Sequence, residues 1–451
     1  MYKIILFISA IIIFYSNSNS QISLNPEKFY KETLSLYQSG KWDKLIDTCN
    51  YAFDNFFDSY ILRYQAGVAY YMKKNYLSAV NQFNKALEFE PDNFKVTEYL
   101  YYSYLFSGRN SDAEALILTM PDYLKNKLKI QNVKIVSDAY SESGYSFNNK
   151  YDDKKKNVFN GSAGIYDEQL INRDEFYYNL TLFHQLSRRV NIINSFNIIN
   201  LRKLKQFNET VSGLKNFDLN TNQFEYYFNL SANVSVGLDV GASLHFLGVN
   251  SGDIKISYDT TITPNKPLYE QVQNKFNNIL FLISVSKYID KFKFTVTNSY
   301  SNLNNGTQYQ NVIALKYFPL GNPDLYLSSD FILHSDRNEG GNILSEGIFE
   351  PKIGVKINRY LWLEGYSTFG NIYNYNESNG FVVYNNTDKI KNRFGINLIS
   401  PVIQNKLALF FYYQYFNQES YYITYTNSTN YYIKNFINPN HKFIGGLKWT
   451  F

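Results

Sequence analysis

Four histidines, His184, His245, His334 and His441, are the side chains of this 451-residue chain best suited to acid–base or metal chemistry, and they are scattered. None stands in an H-E-x-x-H, P-loop or nucleophile-elbow spacing, the arrangements that bring ligands or a proton relay onto one face. His334-Ser335-Asp336 holds the residue types of a hydrolytic triad. Adjacent side chains on a strand point to opposite faces, however, so these three cannot form a relay. The single cysteine, Cys49, excludes a disulfide framework and a thiolate metal site. It reads as a small buried apolar residue on the inner side of a helix. Asp152-Asp153 followed by Lys154-Lys155-Lys156 reads as a solvated charge run, with a surface-ligand role as the alternative. The expectation is a protein that is not an enzyme, with no catalytic residue, cofactor or metal.

The remaining chemistry lies in charges set on the polar phase of alternating segments: Asp239, Lys293, Asp330, Lys356, Glu364 and Arg393, with Glu225 and Glu350 beside them. A pore biased to one ion carries mostly one sign. This mixture, among many Tyr, Asn and Ser, suits either a lumen packed by its own side chains or one that binds a polar, uncharged chain such as a sugar polymer. The net charge of +5 gives no argument for nucleic acid.

Those charges need strands to position them. From about residue 131 the apolar period is two: Phe292, Phe294 and Val296 alternate with Lys293, Thr295 and Thr297, and Phe394, Ile396 and Leu398 with Arg393, Gly395 and Asn397. Segments of ~10 residues or more suit a tilted crossing of a bilayer. Aromatics crowd strand ends at Phe176–Tyr178, Tyr412–Phe416 and Trp449–Phe451, as interface girdles do. Short connections, such as Ser187-Arg188-Arg189 and Ile289-Asp290-Lys291, alternate with long ones, among them 148–173, 250–270, 375–386 and 417–437. The count is about 14 strands, with both ends of the barrel on the short-turn side. Aromatic content of 18%, with 43 Tyr and 36 Phe, excludes wholesale disorder. A mean hydropathy of −0.35 and one long apolar run, at the N-terminus, exclude a polytopic helical membrane protein.

That run, within residues 1–20, has Lys3, an apolar core from Ile4 to Tyr15, and small residues Ser18 and Ser20: a secretory signal peptide cut before Gln21. Residues 21–130 are helical and repeated. Gly67, Tyr70, Ala79, Phe83, Ala86 and Pro91 resemble the tetratricopeptide pattern, in which small residues let paired helices approach and Pro ends the second. At the other end, Gly446, Leu447, Trp449 and the terminal Phe451 resemble the signal by which outer-membrane barrels are handed to the assembly machinery, although Ile444 stands where a polar residue is usual.

The fold expected is an α + β membrane protein: an N-terminal α-helical tetratricopeptide-repeat module, then a transmembrane antiparallel β-barrel of about 14 strands over 131–451. As an architecture this resembles exopolysaccharide export porins and surface lipoprotein assembly modifiers. The resemblance implies the bacterial outer membrane with the repeats in the periplasm. Outer-membrane lipid, the barrel assembly machinery and a periplasmic protein or cargo held by the repeats are then the partners. Two functions stay open: export or surface assembly of a polymer or protein cargo, and a closed structural or ligand-binding barrel whose repeats serve as a scaffold.

Overall fold

A computed structural model describes residues 26–156, 166–209, 213–259, 266–337, 340–385, 388–404, 406–426 and 430–451. The expected signal peptide and Asn405 of the turn at Gln404-Asn405 lie outside the described residues. The chain divides into two compact units, one running to Ser103 and one from Tyr104 to Phe451.

The first unit is helical: α1 (Pro26–Gln38), α2 (Trp42–Asp54), α3 (Tyr60–Met72), α4 (Tyr76–Phe89) and most of α5 (Phe94–Phe106). Side-chain caps start three of them, Ser59 Oγ accepting from Leu62 N at 3.4 Å, Asn75 Oδ1 from Ser78 N at 3.2 Å and Asn93 Oδ1 from Val96 N at 3.2 Å. Successive helix starts recur at 34 residues, from Tyr60 to Phe94 and from Trp42 to Tyr76. The α3–α4 contact shows why small residues recur. A Cβ on Gly67 would lie 2.5 Å from the Phe83 ring, and Ala79 and Ala86 are fully buried beside it. Tyr70 accepts a hydrogen bond from Asn50 on α2, and Pro91 stands exposed just past α4.

The second unit begins with two short helices, α6 (Asn110–Ile117) and α7 (Asp122–Lys127), and continues as a barrel. Its strands are β1 (Val136–Asn148), β2 (Tyr166–Gln185), β3 (Val190–Glu209), β4 (Gly213–Ser235), β5 (Leu238–Asp259), β6 (Lys266–Ile289), β7 (Phe292–Ser301), β8 (Thr307–Tyr317), β9 (Leu325–Arg337), β10 (Ile343–Asn358), β11 (Leu361–Ile372), β14 (Lys389–Ile403), β15 (Leu407–Tyr425) and β16 (Tyr431–Thr450). A helix α8 (Tyr151–Lys156) follows β1, and a small hairpin of β12 (Tyr375–Glu377) and β13 (Val382–Tyr384) lies between β11 and β14. The fourteen wall strands form one closed antiparallel barrel. Closure runs through β1 and β16, in register from Asp138↔Thr450 to Asn148↔Asn440. Gly446 is required at this seam, since a Cβ there would sit 2.9 Å from the Ser141 carbonyl. Phe443, Leu447 and Trp449 point outward and are exposed, as are Phe281, Ile283 and Val285 on β6 and Phe394 and Ile396 on β14. A closed ladder with an apolar outside is the build of an outer-membrane barrel.

The wall is uneven in height. Strands β2 to β6, β15 and β16 have 19 to 24 residues, while β1, β7 to β11 and β14 have 10 to 16. A crossing needs ~9–11 residues, so the tall strands overshoot at the end away from the short turns. The long connections expected at 250–270 and 417–437 are mostly strand: β5 and β6 pair out to Asp259↔Lys266, and β15 and β16 out to Tyr425↔Tyr431. Past the ends of β1 and β14, the outer part of β15 pairs with β2, Tyr422 opposite Gln169. What stabilises this overhang is an inward apolar cluster of Phe207, Leu219 and Ile254, packed by Tyr166, Leu170, Phe217 and Tyr269.

Replacing Gly67 by Ala should loosen the α3–α4 pair, because the Phe83 ring must move; overpacking of this kind costs ~1–3 kcal/mol. Limited proteolysis of the full chain should then cut within 26–103 faster than in the wild type. The heat-dependent shift of the barrel in SDS gels should stay unchanged.

Candidate functional site

The lumen is not lined by wall side chains alone. The β12–β13 hairpin, expected as part of a long outer loop, folds into the barrel and touches strands on both sides. Its turn is tight: Ser378, Asn379 and Gly380 all have positive φ, and a Cβ on Gly380 would lie 2.7 Å from Leu280 of β6. The Gly380 carbonyl accepts from His245 Nδ1 of β5 at 2.7 Å, and the Asn379 carbonyl from the Tyr227 hydroxyl of β4 at 3.1 Å. With Nδ1–H given to Gly380, His245 Nε2 faces Glu225 Oε2 at 3.3 Å, where an ion pair forms when the ring is protonated. Asn376 donates to Ser299 of β7 at 2.9 Å, and its carbonyl accepts from Gln310 of β8 at 2.7 Å. Val383 joins Leu247, Leu280 and Leu282 in an apolar cluster. Tyr375 packs with Ile332, Ile348 and Ile390 in another.

Arg393 of β14 ties the hairpin base to the wall. It is 3% exposed and holds Glu377 of the hairpin bidentately, Nη2 to Oε2 at 2.7 Å and Nη1 to Oε1 at 3.1 Å. The same Nη2 donates to Glu350 Oε2 of β10 at 2.6 Å. Arg393 also donates to the Tyr384 hydroxyl, while Thr368 Oγ1 accepts from its Nε at 3.2 Å and donates to Glu350 at 2.6 Å. One guanidinium thus serves two carboxylates, with the Tyr384 and Thr368 hydroxyls drawn into the same cluster.

Of the other charges expected in the lumen, Glu364 and Asp330 adjoin this cluster, Lys352 lying 3.9 Å from Glu350 and 4.0 Å from Glu364, while Asp239, Lys293 and Lys356 stand apart from it. Glu364 accepts from Tyr326 and from Asn397 at 2.7 Å, and Asp330 stands opposite Glu350 in register. Asp239, Lys293 and Lys356 sit at the short-turn end of their strands. There Asp239 accepts from Asn233 at 3.0 Å, Lys293 lies 5.3 Å from the Tyr288 ring centre, and Lys356 lies 3.3 Å from Asp324 and over the Trp362 ring. At that same end α6 is seated on the β4–β5 turn. Asp112, 4% exposed, accepts from Gly237 N at 2.7 Å and Asn233 Nδ2 at 3.1 Å, while Arg109 donates to it at 2.7 Å. Gly237 permits this with φ of 69°. His334 is buried against the Tyr375 ring, 6.3 Å between centres, and Ser335 turns away to bond Ser345. No group of three or more His, Cys, Asp or Glu able to hold a metal occurs among the described residues.

Between hairpin and tall wall lies a cavity of about 380 Å³. Its lining includes Glu377, Phe381 and Tyr384 of the hairpin, Arg393, Tyr177 and Glu225 of the wall, and Leu170 and Leu219 of the overhang cluster. Glu142, also on its wall, accepts from the Tyr140 hydroxyl and, at 2.6 Å, from Tyr177. Sequence reasoning missed Glu377, Tyr384 and Thr368 as partners of Arg393. Their one local signal is the turn composition of Ser378-Asn379-Gly380 ahead of the apolar and aromatic run Phe381 to Tyr384.

No family model matches the sequence, and neither does any curated protein. In shape, the chain is similar to solved barrels: a FadL homologue of Pseudomonas aeruginosa (8% identity, TM-score 0.44), the toluene transporter TbuX of Ralstonia pickettii (8%, 0.42) and the toluene transporter TodX of P. putida (7%, 0.43). Each likeness covers 70% of this chain and 90% of the other. At that distance no residue role and no ligand passes from them to this chain.

Two outcomes check this geometry. Arg393→Met should take from Glu350 and Glu377 the cation they share, leaving only Lys352 at 3.9 Å from Glu350, a loss of ~3–5 kcal/mol for a broken buried pair. The readout is a lowered urea midpoint and protease cleavage within 375–384. Cys49 is fully buried, and burial pushes its thiol up to about 12. Maleimide at neutral pH should therefore label it only after unfolding; rapid labelling of the folded chain would contradict the placement.

Proposed function

We propose that the chain is a gated outer-membrane transport barrel, with the β12–β13 hairpin as its gate. Residues 21–130 form the periplasmic docking module that gathers a polymer or protein cargo or its carrier. The observation that carries the reading is the nature of the obstruction. The lumen is filled by one separate hairpin on its own two connections, held by polar ties and by apolar contacts of Tyr375 and Val383, and not by wall side chains alone. Such an element can leave without opening the wall ladder. The regular two-helix spacing of the first unit, with its small residues at the helix contacts, supports a repeat array with a surface for a partner.

A specific observation favours the second reading, a closed ligand-binding barrel. The Arg393–Glu377–Glu350 cluster is fully satisfied and buried, which makes displacement costly. Planar-bilayer conductance separates the two. A gate predicts rare discrete openings of the wild type that become frequent in Glu377→Gln and continuous when 375–384 is replaced by a short Gly-Ser link. A wild type silent at every voltage, beside a conducting deletion, would establish the closed barrel. Deleting 21–103 should leave conductance intact and abolish cargo export if the repeats dock it.

A further inference from the structure

We infer that the cavity between the hairpin and the tall wall binds an uncharged, hydroxyl-rich molecule, a polyol or a sugar of one or two rings; this rests on reading the lumen as the functional site. Its volume of about 380 Å³ is toward the lower end of the ~300–1,000 Å³ usual for small-molecule pockets. Charge leaves little for an ionic occupant to pair with. Five carboxylates and four cations line the cavity, and most are already matched. Lys442 pairs with Glu175 at 2.8 Å, Arg393 with Glu377 at 2.7 Å and Lys205 with Glu168 at 3.6 Å. Glu225 takes bonds from Asn197 and Gln223, and Glu142 from two tyrosines. Lys203, 8% exposed, has no ion pair among the described residues, and neither has Asp253. An anionic occupant would therefore meet a single unpaired cation, Lys203, and a cationic one a single unpaired carboxylate, Asp253.

What remains unmatched is neutral hydrogen-bonding capacity. Asn172 is 8% exposed, and its amide nitrogen is committed to Asp388 at 3.4 Å, which leaves Oδ1 buried with no partner among the described residues. Asn385, at the hairpin's end, repeats the arrangement: its nitrogen faces Asn278 and its Oδ1 is buried and unpartnered. Two orphaned acceptors ask for O–H donors, because a buried acceptor left unmade costs more than a bond gains. The Lys203 ammonium offers the complementary donor. Phe276, Phe381 and Phe416 supply flat apolar faces in the same lining. A hydroxyl both donates and accepts, and the C–H face of a sugar ring packs on aromatics; a hydrocarbon would leave both amide oxygens unpaired.

The test is equilibrium binding to the purified full chain in detergent, by calorimetry, with maltose, cellobiose, sorbitol and trehalose. Glucuronate and toluene serve as the charged and apolar counterparts. At least one neutral probe should bind at millimolar concentration, more tightly than glucuronate or toluene. Asn385→Leu and Asn172→Leu should each weaken it about tenfold, the loss of one buried hydrogen bond, while the SDS-gel heat shift reports an intact barrel. Asn385→Asp, which keeps an acceptor, should retain binding where Leu does not. No binding by any neutral probe, tighter binding of glucuronate or toluene, or affinity unaltered by both Leu variants overturns the inference. Conductance of the same preparation is scored separately, so a chain that gates but ignores every neutral probe loses this inference alone.

Discussion

In hydrocarbon no backbone N–H or C=O can be left without a partner, and every feature of the second unit follows from that demand. An open sheet has two edges; this one has none, because β16 returns to β1 over eleven in-register residues. Closure fixes which side chains face inward. A slip of one residue anywhere would turn Arg393, Glu350 and Glu364 into lipid, where a charge at the midplane costs up to ~2–4 kcal/mol. Glycine at 446 is part of the same constraint, since the seam strands approach too closely there for a Cβ.

Fourteen strands, once closed, enclose more width than side chains from the wall can fill. The hairpin answers that surplus. It leaves the short side of the wall between β11 and β14 and reaches β4 to β6 of the tall side, where His245 and Tyr227 hold its tip. Its base is held by Arg393. The two ends are secured differently: a buried ion pair at the base, neutral hydrogen bonds to backbone carbonyls at the tip. The tip is therefore the end that a modest force frees first.

The barrel was legible because lipid on one side and polar groups on the other impose a strict period of two. Phe292 to Thr297 and Phe394 to Asn397 show it without ambiguity, and the short turns at 187–189, 290–291 and 321–323 follow from it. Legibility failed where the lipid ends. In the overhang of β5–β6 and β15–β16 both faces carry polar and aromatic residues, so Asn250 to Glu270 reads as loop although β5 and β6 stay paired out to Asp259↔Lys266. The hairpin was illegible for a related reason. Three-residue strands give no period to count, and Glu377 becomes informative only beside Arg393 and Glu350, which come from two other strands. The α3–α4 packing was legible at Gly67 and Ala79 because close helix approach selects small residues directly.

The uneven wall and the inserted hairpin are physically linked. β7 to β11 are shorter than β2 to β6, and the connection from β11 turns inward as the hairpin. On the opposite side the overhang curls in on Phe207, Leu219 and Ile254 and provides a surface for the hairpin to approach. Leu170 and Leu219 belong both to that cluster and to the cavity lining. A change in how the overhang packs would therefore reshape the cavity without touching any residue of the hairpin. The outer rim of the tall wall is in this sense part of the site, although it lies beyond the membrane-spanning ladder.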